Sequence, residues 1–307
     1  MSLTLKSGLK RLRDSQPFNL VATSLARACV GSSSEWAIKH LPRTGMVTSA
    51  LPNGRVLRLR TQGDDWVSNQ VFWRGWTGYE PELTPLFFRL ARAARATLDV
   101  GAHVGFYSLL AAHANPSGRV LAFEPLPKAA ERFRRNVAEN RLTNVELFEC
   151  ALGDAEGSAT LYHEPDSAEG VPTSSGLSSD FFQLPYYVSH GVKAGIDVRV
   201  RTLDEVARER NVARIDLIKI DTETTEPAVL AGAAKTLERD RPDLVFEVLP
   251  GQGTSEAITR LLKPLGYTFY HLRDDGPARR EEIEDHADWW NYLARARGDG
   301  GPGGARP

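Results

Sequence analysis

The stretch Thr97–Tyr107 reads TLDVGAHVGFY and decides how the rest of the chain is interpreted. It begins with the composition of a buried strand, continues through two glycines spaced G-x-x-x-G, and leads into a helix-like run from Ser108. Gly101 and Gly105 have no Cβ, so the backbone can turn sharply there and pass close to a ligand. The stretch therefore predicts a strand, a glycine loop and a helix N-terminus that bind a nucleoside.

Charges beside the glycines indicate which nucleoside is bound. A dinucleotide site prefers G-x-G-x-x-G, with the pyrophosphate on bare backbone amides. Asp99 instead stands two residues before the first glycine, where a carboxylate repels pyrophosphate and suits an ammonium or sulfonium group. Glu124 ends the next apolar strand, where an acid can bind both ribose hydroxyls. Together these features predict S-adenosylmethionine, although each acid alone is also explained as a cap of the turn or helix that follows.

Composition sets broad limits on the class of protein. The chain has 307 residues, of which 41% are hydrophobic and 25% charged, with 38 basic against 39 acidic residues. This balance gives no reason to expect a nucleic-acid partner. Cys29 and Cys150 have no metal-ligand spacing, which predicts a reducing, cytoplasmic compartment. No apolar run reaches the roughly 18 to 20 residues of a membrane span, so we expect neither a signal peptide nor an anchor.

The residues before the glycine loop are predicted to form an extension, 1–95, packed on the core. Its first forty or so residues look helical, with Leu5, Leu9 and Leu12 on one face and Lys and Arg around the rest. Such a helix either packs its leucines on the parent domain or lies on a membrane surface or partner, and the pattern leaves both open. Alternating polarity over 46–60, interrupted by Pro-Asn-Gly, then predicts a β-hairpin.

An aromatic-rich stretch, 73–90, joins the hairpin to the first central strand. Pro81 is predicted to open a helix at its first turn, because proline is tolerated where a backbone N–H has no helical partner. Glu80 just before it is a candidate contact at the mouth of the cofactor site. A solvated acid at a helix start is an equally open interpretation of Glu80.

From Thr97 the predicted elements alternate as in a doubly wound sheet. The first half is a βαβαβ unit, with strands over 97–100, 119–123 and 145–149 and helices over 108–114 and 128–140. An insert over 163–196 is rich in Ser, Gly and Pro and carries Phe181, Phe182, Tyr186 and Tyr187. A loop of this length predicts either a segment that covers the substrate or a flexible surface excursion.

After the insert the alternation resumes. Thr202 and Glu205 form the pattern of a capping box, a buried-type strand follows in IDLIKID, and Pro227 is predicted to open a helix through Leu237. The fold class is therefore α/β, a Rossmann-like doubly wound sheet over 96–297, with a disordered tail over 298–307.

In this order the motifs resemble the FkbM-type S-adenosylmethionine-dependent methyltransferases. The resemblance covers roughly Gly78 to Val248 and is carried by GYEPELT, LDVGAHVGFYSLLAA, GRVLAFEPLPKAAERFRRNVAENRLTNVELFECALGD, VRVRTLDE and IDLIKIDTETTEPAVLAGA. It implies a fold of the class I methyltransferase type. It also implies methylation of a small-molecule hydroxyl acceptor, namely a sugar, polyketide or other metabolite.

The resemblance further implies which residues contact the cofactor. Asp99, Gly101 and Gly105 would line its methionine side, Glu124 would hold the ribose, and Ala151 would border the adenine.

His103 and the segment after Ile220 complete the candidate site. His103 lies inside the glycine loop among the cofactor contacts, where packing or capping suits it better than a role as a base. By the same resemblance Asp221 and Glu223 would face the transferring methyl. The sequence departs from the family pattern D-x-E-G-x-E at Thr224, and a threonine is a poor substitute for a glycine with positive φ.

An alcohol acceptor has to lose its proton, so a base must adjoin its oxygen. Asp221 and Glu223 are the predicted catalytic groups, with Glu247 and His271 next, because these residues lie at strand ends. Asp221 or Glu223 is expected to act as base or as metal ligand, but no metal is assigned, since the histidines are scattered and no clustered acid motif appears. Two alternatives remain: a catalytically weakened nucleoside-binding scaffold, motivated by Thr224, and an NAD-dependent oxidoreductase. The sequence does not determine the oligomeric state.

Overall fold

The computed structural model describes residues 16–31, 34–163, 171–172, 175–177 and 194–296. In chain order its helices are α1 (Gln16–Val30), α2 (Glu35–His40), α3 (Trp66–Arg74), α4 (Thr84–Ala93), α5 (Phe106–Ala114), α6 (Pro127–Glu139), α7 (Leu203–Glu209), α8 (Glu226–Ala231), α9 (Ala234–Asp240) and α10 (Thr254–Leu262). Its strands are β1 (Gly45–Ala50), β2 (Val56–Thr61), β3 (Ala96–Val100), β4 (Arg119–Phe123), β5 (Val145–Phe148), β6 (Ala151–Leu152), β7 (Gly157–His163), β8 (Ser175–Gly176), β9 (Ala194–Arg201), β10 (Leu217–Ile220), β11 (Asp243–Glu247), β12 (Tyr267–His271), β13 (Ala278–Arg280) and β14 (Asn291–Ala296).

The core is an eight-stranded mixed sheet in the order β13-β12-β14-β11-β10-β3-β4-β5. Strands β11, β10, β3, β4 and β5 run parallel, and β14 returns antiparallel to β11. Every residue of β3 and β10 is buried, as expected for parallel strands covered on both faces. Strands β4 and β5 continue the sheet on one side of β3, and the later strands β10 and β11 continue it on the other side. This reversal of strand order at β3 confirms the predicted Rossmann-like doubly wound fold.

Apolar side chains of the central strands alternate between two hydrophobic clusters, one on each face of the sheet. In β10, Leu217 belongs to the cluster that contains α5, whereas Ile218 and Ile220 belong to the cluster that contains α7 and α8. This period of two follows from the pleat, which sends successive side chains to opposite faces. The two faces are thus filled by different helices, and the ends of the strands stay open at the edge of the sheet.

The hairpin β1–β2 docks on helix α6 through asparagine side chains. Asn136 accepts a hydrogen bond from the Arg60 N–H at 2.8 Å, and Asn140 accepts one from the Arg58 N–H at 2.9 Å. Asn140 also donates to the Arg58 carbonyl at 2.6 Å. The side chains satisfy backbone groups that β2 would otherwise leave unpaired at its edge. The predicted hairpin is confirmed, and its contacts attach the N-terminal extension to the helices of the core.

Two predicted helix boundaries are wrong. Pro81 lies in a turn, and helix α4 begins at Thr84 with Pro85 in its first turn, so the later proline takes the permissive position. The helix predicted after Pro227 is two helices, α8 and α9, separated at Gly232. A Cβ on Gly232 would lie 2.0 Å from the carbonyl oxygen of Gly153, which belongs to the loop between β6 and β7. The break between the two helices therefore lies where the chain packs closely against this loop. The cap at Thr202 is confirmed in part: its hydroxyl accepts from the Glu205 N–H at 3.3 Å, but the Thr202 N–H donates to Glu156 at 2.9 Å, so the return bond that would complete a capping box is not made.

Several predictions fall on residues outside the described ranges. These are the leucine face of residues 5–12, the aromatic residues of the insert at 181–187 and the tail from 298. Among the described residues, a second sheet in the order β6-β9-β7-β8 flanks the insert, and Cys29 and Cys150 are both free thiols. Within those residues no helix is long and apolar enough to cross a membrane. The boundary at residue 95 remains a prediction.

Candidate active site

A pocket of about 320 Å³ opens at the carboxyl ends of β3, β4, β10 and β11. Open α/β sheets place their ligands at this edge, beside the point where the strand order reverses. Six predicted site residues line it: Gly101, His103, Glu124, Ala151, Asp221 and Glu223. Three others, Glu80, Asp99 and Gly105, do not line it and lie in the surrounding structure.

The glycine loop, Gly101–Gly105, turns through left-handed backbone. Gly101 has φ +79° and Gly105 has φ +92°. A Cβ on Gly101 would lie 1.8 Å from the Asp221 carbonyl oxygen, and one on Gly105 would lie 2.7 Å from the Phe133 ring. The glycines therefore leave room for neighbouring parts of the protein, and Gly101 also lines the pocket, so its approach to a ligand stays a prediction. Gly101 in particular allows the loops after β3 and β10 to touch.

Glu124 lies at the end of β4 with both carboxylate oxygens bound by backbone amides. One oxygen accepts from the His103 N–H at 2.7 Å, and the other accepts from the Leu126 N–H at 2.8 Å. Burial raises the pKa of Glu124 to about 7, although these two hydrogen bonds act in the opposite direction. Glu124 thus ties the glycine loop to the start of α6 and also lines the pocket. The two interpretations offered by the sequence, pocket acid and cap, coexist in one side chain.

His103 joins the glycine loop to the insert. It has φ +50°, and its ring Nε2 lies 3.0 Å from the Pro172 carbonyl oxygen, which accepts the hydrogen bond. Burial lowers the pKa of His103 below its usual value. The Val171 N–H donates to Asp64 at 3.0 Å, so residues 171–172 are held at two points. Residues 175–177 line the pocket, which supports the prediction that part of the insert covers it.

Asp99 is buried near the end of β3, below the pocket. Its Oδ2 accepts from the Ser108 hydroxyl at 2.6 Å, while Oδ1 has no hydrogen-bond partner among the described residues. Burial raises the pKa of Asp99, and the nearby Lys219 ammonium lowers it in part. An unsatisfied buried acceptor is costly, so this oxygen is suited to a donor supplied by a ligand.

Lys219 is a site residue that the sequence did not single out. Its ammonium is buried, lies 2.9 Å from Asp221 Oδ2 and stands 4.7 Å from the centroid of the Tyr107 ring. Burial lowers the pKa of Lys219, but the carboxylates of Asp221, Asp99 and Glu80 outweigh burial and hold it above its usual value. Lys219 lies in the apolar run LIKI. A lysine inside a predicted buried strand is unusual, and this feature could have marked it as a site residue.

Glu80 lies behind the pocket with φ +43°. It accepts from the Tyr107 hydroxyl at 2.5 Å and from the Asn291 side-chain amide at 3.1 Å. Burial raises the pKa of Glu80 to about 7, opposed by the charge of Lys219. The interpretation as a solvated acid at a helix start is wrong, because Glu80 precedes a turn and its carboxylate is hydrogen-bonded to Tyr107 and Asn291.

The segment that follows β10, Asp221–Thr225, is called here the acid loop. Glu223 has φ +56° and Thr224 has φ +89°, so two consecutive non-glycine residues take left-handed backbone. Thr224 thus has the positive φ at which a threonine is a poor substitute for glycine. Glu226, a second residue missed in the sequence, holds the loop: one of its oxygens accepts from the Thr222 N–H at 3.0 Å and the Thr224 N–H at 3.2 Å. Burial raises the pKa of Glu226 to about 7.

Three carboxylates converge at this end of the pocket. Asp221, Glu223 and Glu247 each offer an oxygen, and these oxygens lie within 4.8 Å of one another. Burial raises the pKa of Glu247 well above its usual value, and the charges of Asp221 and Glu223 raise it further. Glu247 is the last residue of β11, whereas Asp221 and Glu223 follow β10. The three carboxylates therefore come together only because these two strands pair.

The carboxylate cluster changes the observation on which the sequence assigned no metal. The sequence showed no clustered acid motif, whereas the fold assembles one from two strands. Three carboxylates of this kind attract cations in general, and acidic clusters are common without a metal ion, so the geometry alone assigns no metal. His271, the remaining candidate base, lies away from the cluster, 2.9 Å from the Trp289 carbonyl oxygen.

Comparison with known proteins gives one family. The family model described as the methyltransferase FkbM domain matches residues 99–299. The chain is 29% identical over 254 residues to the 31-O-demethyl-FK506 methyltransferase FkbM of Streptomyces tacrolimicus, which covers 74% of this chain and 91% of that protein. It is 30% identical over 148 residues to the 2-O-methyltransferase NoeI of Sinorhizobium fredii, covering 47% of this chain and 59% of that protein.

Other matches are partial. The AMB antimetabolite synthetase AmbE of Pseudomonas aeruginosa is 28% identical over 234 residues, 62% of this chain, and the chain spans only 11% of that protein's length. Among solved structures, methyltransferase FkbM from Methylobacillus flagellatus KT aligns with a TM-score of 0.41 and 16% identity, covering 66% of this chain and 44% of that chain.

Proposed function

The chain belongs to the FkbM methyltransferase family, and from this premise we propose that it transfers a methyl group from S-adenosylmethionine to a hydroxyl group of a small molecule, a sugar or other secondary metabolite. When bound, the cofactor supplies a methyl group activated by its sulfonium. The chain's own residues have to hold the cofactor, orient the acceptor and accept the proton that the hydroxyl loses.

The residues around the pocket fit this cofactor. Asp99 lies behind the pocket lining with one oxygen that has no hydrogen-bond partner among the described residues, and a carboxylate at this place favours the cationic ammonium of the methionine part through its charge. Glu124 lines the pocket at the end of β4, where an acid can hold ribose hydroxyls, and Ala151 lines it on the side assigned to adenine. The excess of carboxylates around the pocket also favours a cationic sulfonium over a pyrophosphate, which argues against the nicotinamide cofactor.

The observation that carries the proposed chemistry is the carboxylate cluster. Asp221, Glu223 and Glu247 share one end of the pocket, and Lys219 holds the carboxylate of Asp221. Burial and the charges of Asp221 and Glu223 raise the pKa of Glu247, which makes its carboxylate a stronger proton acceptor when it is ionised. We infer that one carboxylate of the cluster takes the hydroxyl proton, with Asp221 and Glu223 as the first candidates and Glu247 beside them.

Thr224 motivates a second candidate, a cofactor-binding scaffold with weakened catalysis. Its left-handed backbone is strained for a β-branched residue. However, the acid loop that contains it still presents Asp221 and Glu223 to the pocket, and Glu226 binds the strained segment. These contacts favour an enzyme.

A transfer assay tests both candidates. Wild-type protein receives S-adenosylmethionine with a radioactive methyl group and a panel of methyl glycosides and polyketide alcohols. We expect Asp221→Asn or Glu223→Gln to lower turnover by about 10²-fold or more while binding of S-adenosylhomocysteine is retained. Glu256→Gln, on the exposed side of α10, is the matched control and should have no effect. Cofactor binding without transfer to any hydroxyl would favour the scaffold. Normal turnover in both variants would move the base to Glu247.

A further inference from the structure

Two tryptophan side chains stay exposed in the active-site pocket. Trp66 begins helix α3, Trp290 directly precedes β14, and both line the pocket. Their exposed fractions are 44% and 37%. Among the eight large hydrophobic side chains that are exposed in the described ranges, these are the two that line this pocket. We call Trp66 and Trp290 the pocket tryptophans.

Trp290 is held in place by two hydrogen bonds within the protein. Its carbonyl accepts from the Val248 N–H at 2.8 Å, and its indole N–H donates to the Ala287 carbonyl at 3.3 Å. The indole N–H is the only hydrogen-bonding group of a tryptophan side chain, and here it is already used. What Trp290 still offers to the pocket is therefore the apolar surface of its ring.

The sheet places Trp290 beside the carboxylate cluster. Glu247 pairs with Asn291 across β11 and β14, so Trp290 is one residue away from the strand partner of a cluster carboxylate. Glu124, the acid assigned to the ribose, follows β4, and β3, β10 and β11 lie between β4 and β14 in the sheet. A molecule that bonds its hydroxyl to the cluster therefore has the Trp290 indole beside it.

Trp66 belongs to the N-terminal extension and stands near the attachment of the insert. Two residues before it, Asp64 accepts from the Val171 N–H at 3.0 Å. Asp65 caps α3 by accepting a backbone N–H at 2.6 Å, which fixes the first turn of the helix. Trp66 precedes the residues 99–299 that the family model matches, so the extension adds a pocket side chain from outside the matched domain.

Indole rings in a pocket suit a particular shape of ligand. Their exposed apolar surface becomes buried only when a ligand covers it, and this burial favours binding. The face of an indole is electron-rich, so it attracts the slightly positive C–H bonds of another ring. A flat ring that carries a hydroxyl at its edge can stack on a tryptophan while the hydroxyl reaches a carboxylate. An open chain cannot cover the indole face without losing conformational freedom.

We propose that Trp66 and Trp290 bind the acceptor by stacking and so select acceptors whose hydroxyl is carried on a flat ring. A pyranose and an aromatic ring share this chemistry. The inference rests on the proposed function, because it assigns the acceptor side of the same pocket. The tryptophans position the acceptor and take no part in the proton transfer.

Binding of acceptor probes to protein saturated with S-adenosylhomocysteine tests the proposal without any methyl transfer. Calorimetry compares methyl β-glucopyranoside and catechol, which are rings, with sorbitol, an open-chain polyol, and choline, a cationic alcohol. We expect at least one ring probe to bind about 10-fold or more tightly than sorbitol and choline, with the tighter ring identifying the kind of acceptor. Trp66→Ala and Trp290→Ala should each weaken that binding by about 10-fold, whereas Trp66→Phe and Trp290→Phe, which keep an aromatic face, should retain most of it.

Two controls separate acceptor binding from other roles. Trp36→Ala is the matched control, because Trp36 is 65% exposed on α2 and does not line the pocket, and it should bind like the wild type. The affinity for S-adenosylhomocysteine should be unchanged in both pocket alanine variants. A loss of that affinity would overturn the proposal, since the ring would then contact the cofactor. Tighter binding of choline than of either ring would also overturn it, because the indoles would then bind a cation.

The transfer assay distinguishes failure of this inference from failure of the proposed function. With a ring acceptor that is methylated, the alanine variants should raise KM by about 10-fold and leave kcat nearly unchanged. An unchanged KM in both variants would overturn the role of the tryptophans and leave methyl transfer intact. Ring binding that both variants weaken, without methyl transfer to any alcohol, would support the tryptophans and contradict the proposed transfer. Equal binding of ring and open-chain probes, or binding of none, would overturn the inference.

Discussion

The glycine loop and the acid loop meet in the same pocket, yet they reach left-handed backbone by different means. In the glycine loop two of the three left-handed residues are glycines, whereas in the acid loop Glu223 and Thr224 are both non-glycine. The glycine loop is held by Glu124, whose carboxylate binds the amide of His103. The acid loop is held by Glu226, whose carboxylate binds the amide of Thr224. Each loop therefore depends on a buried glutamate that satisfies its amides.

The difference indicates where the molecule stores strain. Glycine takes left-handed backbone at little cost, whereas a β-branched residue there costs on the order of 1–3 kcal/mol. Like charges add to this cost at the acid loop, because Asp221, Glu223 and Glu247 lie close together. Strain of this kind persists where the surrounding structure imposes it, commonly at functional sites. The acid loop is thus the part of the pocket that a cationic ligand would relieve most.

The largest expected effect comes from breaking the contact between the loops. Gly101→Ala places a Cβ 1.8 Å from the Asp221 carbonyl oxygen and adds a left-handed alanine. We expect the free energy of unfolding to fall by about 3 kcal/mol or more, measured by chemical denaturation. Gly54→Ala is the matched control, because Gly54 also has positive φ, at +80°, with nothing within 4 Å of the added Cβ. The control should lose only about 1 kcal/mol, and equal losses would mean that the loops do not constrain each other.

The next effect tests the glutamate of the glycine loop. Glu124→Ala should weaken S-adenosylmethionine binding by about 1.5 to 3 kcal/mol, measured by calorimetry, because a charged acceptor in the pocket is lost. It also leaves the amides of His103 and Leu126 without their acceptor, so stability should fall as well. Glu124→Gln separates the two effects, since it retains one side-chain acceptor. An unchanged dissociation constant in both variants would restrict Glu124 to holding the two amides.

The smallest effect concerns the strain of the acid loop. Thr224→Gly should raise the free energy of unfolding by about 1 kcal/mol, because glycine accepts a φ of +89° without steric cost. We expect turnover to fall at the same time, because a glycine loosens the backbone that positions Glu223 in the pocket. Arg141→Gly, at an exposed residue with φ +53°, is the matched control for stability and should leave turnover unchanged. Higher turnover in Thr224→Gly would instead indicate a loop distorted by threonine.

Local patterns in the sequence predicted the central fold because hydrophobicity and turn residues decide it. Strand β4 was predicted with its observed bounds, and the helix after it was displaced by one residue at each end. Helix starts were less predictable where two prolines, Pro81 and Pro85, compete for the first turn. The end of α8 was also hard to predict, because Gly232 packs against the carbonyl oxygen of Gly153, a residue distant in sequence.

The site was predictable in part. Asp221 and Glu223 follow directly from their strand, but their proximity to Glu247 depends on the pairing of β10 with β11. The roles of Lys219 and Glu226 depend on which charges the fold buries together, and composition or spacing does not contain that information.

We propose that the glycine loop and the acid loop form one site tuned to a cationic methyl donor. This proposal is tested most directly by titrating the protein with S-adenosylmethionine and S-adenosylhomocysteine, which differ in the sulfonium charge, at pH 6 and pH 8. Burial raises the pKa of Glu80, Glu124 and Glu226 to about 7, so these groups are largely neutral at the lower pH and largely ionised at the higher one. Ionisation makes the pocket more negative and favours the sulfonium.

We expect the ratio of the two dissociation constants, S-adenosylhomocysteine over S-adenosylmethionine, to rise by roughly 3- to 10-fold from pH 6 to pH 8. NADH, titrated in parallel, should not bind. A ratio that stays constant with pH, or binding of NADH without binding of either methionine-derived ligand, would show that the pocket is not tuned to the sulfonium.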